Sequence, residues 1–89
     1  MDRQKIKDIV DYYGFEDVLL EDGLDSAFIG LTDDGVAVYD KHLCVLAMMD
    51  SQQWTEEEAW EFLEFNTFCA KVGDKSPIYI NPASVVDCI

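Results

Sequence analysis

Ile6, Ile9, Val10 and Tyr13 recur at i, i+3, i+4 and i+7 with charged residues between them, the spacing of one amphipathic helix. Gly14 follows, placed to end that helix in a left-handed conformation. Residues 15–25 mix apolar and acidic side chains and read as loop, with a helical turn expected at 17–20. Residues 27–31 and 36–39 are short runs rich in β-branched and aromatic residues, and they flank Asp33-Asp34-Gly35. Asp-Gly between two such runs predicts a hairpin, because glycine tolerates the positive φ of a tight turn. Gly30 inside the first run points to a bulge or to a close approach by another backbone.

Asp40 is placed to cap a second helix over residues 41–52, whose segment 43–49 is apolar on every side and so needs cover on more than one face. Thr55 and Glu58 form a capping box for a third helix, and Glu56, Glu57 and Glu58 suit the positive end of its dipole. Trp54 precedes the cap and is expected to pack toward Ala59. The segment VGDKSPIYINP reads as a turn and a short strand, kept short by Pro77 and Pro82 and suited to a sheet edge. The order α-β-β-α-α-β predicts an α+β fold with helices packed on a short antiparallel sheet. At 89 residues the chain, 1–89, is a single domain.

At about 100° per residue, Ala59, Phe62, Leu63, Cys69 and Ala70 fall on one side of the third helix, with Asn66 near the middle of that arc. An asparagine there needs partners, and the expected ones are backbone groups of the final turn or strand. The opposite face carries Glu57, Glu61 and Glu64 with no basic residue on the helix to offset them. The same phase puts Phe68 among these glutamates, as a candidate apolar anchor for a partner.

Charge sharpens this picture. Nineteen acidic residues against six basic ones leave a net charge of −13, and residues 11–64 hold fifteen acidic groups against Lys41 alone. Such a balance argues against binding nucleic acid or an anionic membrane surface, which both call for Lys and Arg. Solubility needs a net charge of only about 2–8 for a small domain, so the excess points to a cationic partner.

Catalytic and metal chemistry find little to work with. His42 is the only histidine, which leaves no base for a Ser-His-Asp or Cys-His arrangement. No P-loop, GxGxxG or HExxH occurs, and neither EDGLDS nor TDDG fits a calcium loop. The expectation is a protein without enzyme activity, cofactor or metal. Cys44, Cys69 and Cys88 lack paired spacing and the longest apolar run is too short to span a bilayer, so a reducing, cytoplasmic setting is expected.

The segments LDSAFIGLTDDGVAVYD, TEEEAWEFLEFN and VGDKSPIYI, within residues 24–80, resemble a group of short acidic proteins from phages, prophages and related microbial genomes. The resemblance implies an origin in a mobile element and brings no catalytic residues with it. Small size and acidity on such an element also look like the anti-restriction and anti-CRISPR inhibitors that mimic DNA.

The leading expectation is a binding protein that blocks a basic, nucleic-acid-handling partner through Glu57, Glu61, Glu64, Asp33, Asp34 and Phe68. The alternative is a self-associating domain, a homo-oligomer joined through the apolar second helix, with the acidic surface serving solubility.

Overall fold

The computed structural model describes residues 2–69, 73 and 75–82. The Asp2 carboxylate accepts the Lys5 N–H at 2.8 Å and starts α1, Arg3–Tyr13. Gly14 ends the helix at φ 75°, its N–H donating to the carbonyls of Asp11 and Val10. Ile6 is fully buried and Ile9 and Val10 are half-buried, but Tyr13 is exposed, so the apolar stripe stops a turn short. The helical turn expected at 17–20 is absent, because Asp17 sits at φ 60°, outside the right-handed region. A single 3-10 turn comes later, at Asp25–Ala27. Arg3 ties this loop to α1: its Nη2 lies 2.9 Å from the Asp25 carboxylate and donates to the Glu21 carbonyl at 3.0 Å. Hydrogen bonding to Asp25 pushes the Arg3 pKa up, which keeps the clamp charged.

Strands β1, Phe28–Leu31, and β2, Ala37–Asp40, form the expected antiparallel hairpin. Gly35 donates to the Thr32 carbonyl at 3.0 Å and Thr32 to the Val36 carbonyl at 2.9 Å. Gly35 adopts φ 80°, and a β-carbon there would stand 2.8 Å from the Phe15 ring, so glycine is required twice over. Pairing steps from Phe28 with Tyr39 to Gly30 with Val38, leaving Ile29 as the extra residue of the bulge expected at Gly30.

The last residue of β2 caps the next helix: the Asp40 carboxylate accepts the Leu43 N–H at 3.1 Å and opens α2, Lys41–Gln52. Of residues 43–49 only Leu46 is exposed, because α2 packs against the 3-10 turn, β2 and the third helix. That helix, α3, spans Glu56–Leu63 and carries the complete Thr55–Glu58 capping box. Trp54 makes its ring contact with Phe62, at 5.1 Å. Strand β3, Ile78–Ile80, takes the edge beyond β2, but the two run parallel. The sheet is therefore mixed, which corrects the expected antiparallel one. Two helices separate β2 from β3, and such a crossover can return the chain to the starting end of its neighbour.

Tyr39, fully buried, is the centre of the core. Its hydroxyl accepts the Glu21 N–H at 2.9 Å, Phe28 meets it edge-on at 5.9 Å and Tyr79 stacks on it at 5.6 Å. Tyr79 continues to Phe68 at 5.0 Å and Phe68 to Trp60 at 5.9 Å, a run of aromatics that joins the sheet to α3. The Tyr79 hydroxyl is buried with no hydrogen-bond partner among the described residues, and burial and the nearby Glu21 carboxylate push its pKa up. Burial likewise pushes the Cys44 thiol up to about 12, with the Asp40 charge adding to it. The expectations for Ala70 and Cys88 lie outside the described residues.

Candidate acidic and aromatic surface on the third helix

The capping box fixes where α3 begins. Thr55 Oγ1 accepts the Glu58 N–H at 3.2 Å, and Glu58 Oε1 accepts the Thr55 N–H at 3.0 Å. From that start Ala59 and Leu63 turn into the core, which leaves Glu57, Glu61 and Glu64 exposed as the spacing predicts. The rise of an α-helix spaces these carboxylates about 4.5–6 Å apart along the axis. The ion pairs among the described residues belong to Arg3, so none of the α3 glutamates is paired with a cation there.

Beyond Leu63 the helix widens into a π turn, Glu64–Phe68. A π turn closes over five residues instead of four, so each residue advances by less than 100° and the later ones lag. The lag brings Thr67 into the buried side and Phe68 beside Trp60. This corrects the expected place of Phe68 among the glutamates: it is half-buried, packed on Tyr79, with the Lys41 ammonium 5.2 Å from its ring centre. Cys69, expected on the apolar side, is exposed for the same reason. Asn66 is exposed as well and donates to the Phe62 carbonyl one turn back, at 3.0 Å, instead of reaching the final strand.

The aromatic that does stand with the glutamates is Phe65, which is 84 % exposed. Together with Trp54, Phe62, Glu58, Glu61 and Asn66 it lines a shallow hollow of about 560 Å³. Its signal was present in the spacing, since Phe65 lies four residues beyond Glu61 and seven beyond Glu58. A rim of carboxylates around exposed rings suits guanidinium and ammonium groups, which ion-pair with one and stack on the other.

Asp33 and Asp34, both exposed, belong to another setting. They sit in the hairpin turn, where Asp33 borders a groove between α1 and β1 and the Asp34 carbonyl accepts from Lys75 Nζ. No hydrogen bond joins them to α3 among the described residues.

Among the described residues, no cluster of three or more His, Cys, Asp or Glu side chains could hold a metal ion. His42 is exposed at the start of α2. No helix among the described residues is long and apolar enough to cross a membrane. Comparison with known protein families, curated proteins and solved structures finds no match.

Proposed function

We propose that this protein is a non-catalytic acidic binding protein that blocks a basic, nucleic-acid-handling partner. The observation that carries the reading is the α3 surface: exposed Glu57, Glu61 and Glu64 without cation partners among the described residues, beside a Phe65 that is 84 % exposed. A bare run of like charges costs helix stability, about 0.2–0.5 kcal/mol per i, i+4 pair, and an exposed ring beside it gains nothing by folding. Both features have a use in a complex. The carboxylates steer association and occupy arginine and lysine positions that otherwise hold phosphates, while the ring buries at the centre of the contact.

The reading takes a bacterial host protein as the partner and the host cytoplasm as the place of action, as an origin in a mobile element would imply. Self-association through α2 draws less support, since the structure leaves only Leu46 of residues 43–49 exposed and a single exposed leucine is ordinary. The test is a pull-down from bacterial lysate with the parent protein and with Glu57→Lys/Glu61→Lys/Glu64→Lys in parallel. The reading expects a basic nucleic-acid-binding protein on the parent and its loss from the variant, whose circular dichroism matches the parent. Equal capture by both proteins would overturn the mimic.

A further inference from the structure

A second surface lies on the other side of the sheet order. Between α1 and β1 opens a groove of about 790 Å³ with Tyr12, Tyr13, Ile29 and Leu31 in its walls. Tyr12 is 82 % exposed, Tyr13 62 % and Ile29 48 %, a concentration of uncovered apolar side chains. Strand β1 is first in the sheet, and among the described residues no strand pairs with its outer side. The Thr32 N–H is bonded to the Val36 carbonyl. By the alternation of an antiparallel ladder, the N–H and C=O of Leu31 then face away from β2, toward the free edge. A β-carbon placed on Gly30 meets nothing within 4 Å, so the middle of this strand is open to close approach.

From this geometry we infer that the α1–β1 groove docks an extended peptide segment, which adds to the free edge of β1 and carries basic residues beside apolar ones. Main-chain bonds to the edge supply a register, and alternate side chains enter the wall of tyrosines and isoleucine. Charge selects the occupant. Among the described residues lining the groove, Asp8 and Asp33 stand against the single cation Lys5, within a chain of net charge −13. A second copy of the same chain would bring that charge against itself, whereas a lysine- or arginine-bearing strand relieves it. The inference rests on the reading of the protein as a binder of basic partners, but it uses a surface separate from α3.

The probe is a short fluorescein-labelled peptide of alternating lysine and valine, titrated by anisotropy against the whole protein. Two control peptides accompany it: one N-methylated at alternate backbone nitrogens, which keeps the charge and loses the donors, and one with glutamate in place of lysine. Gly30→Leu fills the groove at a position where the fold has room for a side chain. The parent should bind the lysine peptide. Binding should weaken about three- to tenfold on N-methylation, as expected when the backbone hydrogen bond donated to the Leu31 carbonyl is lost. It should weaken by a similar factor in Gly30→Leu and vanish for the glutamate peptide. The Glu57→Lys/Glu61→Lys/Glu64→Lys variant should lose the lysate partner while still binding the peptide, which separates the two surfaces. Equal binding of the N-methylated peptide, or by Gly30→Leu, would overturn the inference and reduce the contact to diffuse charge attraction. A sedimentation shift from dimer to monomer in Gly30→Leu would also overturn it, in favour of a second copy on the edge.

Discussion

Two phenylalanines three residues apart, Phe65 and Phe68, should respond in opposite ways to truncation, because the π turn puts one outside and the other inside. Phe68 packs between Trp60 and Tyr79 with Lys41 over its ring. A phenylalanine hides about 150–250 Å² when fully buried, and the share that a half-buried ring hides is worth about 2–3 kcal/mol at about 25 cal/mol per Å². Loss of the Lys41 contact adds about 0.5–1 kcal/mol. Phe68→Ala should therefore cost about 2.5–4 kcal/mol, a large part of the total stability of so small a domain. Phe65, 84 % exposed, has almost nothing to lose, and Phe65→Ala should stay within about 0.5 kcal/mol of the parent. Urea unfolding followed by tryptophan fluorescence reads both, with the slope checked for constancy so that midpoint shifts report stability. Equal destabilisation, or a larger loss at Phe65, would refute the register of the π turn and with it the site built on Phe65.

Three further outcomes follow from the core. Tyr39→Phe removes the acceptor of the Glu21 N–H and should cost about 1–2 kcal/mol, whereas Tyr79→Phe removes a buried hydroxyl with no partner among the described residues and should be neutral or slightly stabilising; calorimetry of the two variants distinguishes them. In a Cys88→Ser background Cys69 should react at once with a thiol reagent at pH 8, and Cys44 only on unfolding. The Cys44 thiol titrates near 9.0 when free and is pushed up to about 12 in the fold. Its contribution to stability is thus intact below pH 9 and is lost as pH rises toward 12, since the unfolded chain releases the proton first. Chemical denaturation at pH 7, 9 and 10.5 should show that decline, and Cys44→Ala should lessen it, leaving above pH 10 the part due to Tyr39 and Tyr79, whose pKa values burial also raises.

The parts of the fold that rest on local chemistry were legible in the sequence. The Gly14 stop, the Asp-Gly hairpin, the Gly30 bulge, the Asp40 cap and the Thr55–Glu58 box each depend on a few neighbouring residues, and each is present. What local chemistry does not encode is the direction in which a two-helix connection returns, so β3 was expected antiparallel and runs parallel to β2. Nor does any residue in EFNTF announce a π turn; its reason is tertiary, since the widened turn lets Thr67 and Phe68 reach the buried side next to Tyr79. The candidate site was half legible for the same reason. Glu57, Glu61 and Glu64 precede most of the lag and stand where a regular helix puts them, whereas Phe68 follows it and turns inward. Asp33 and Asp34 matched the glutamates in charge, but only the fold shows that their turn borders the α1–β1 groove.

In the proposed complex the α3 carboxylates stand in for phosphates. The most direct measurement of that role is competition: the basic protein captured from lysate is bound to labelled duplex DNA, and the purified domain is added at constant salt. Displacement of the DNA by the parent, weakened at higher salt and absent with Glu57→Lys/Glu61→Lys/Glu64→Lys, is the expected result. A captured partner that holds DNA and the domain at the same time would contradict the claim.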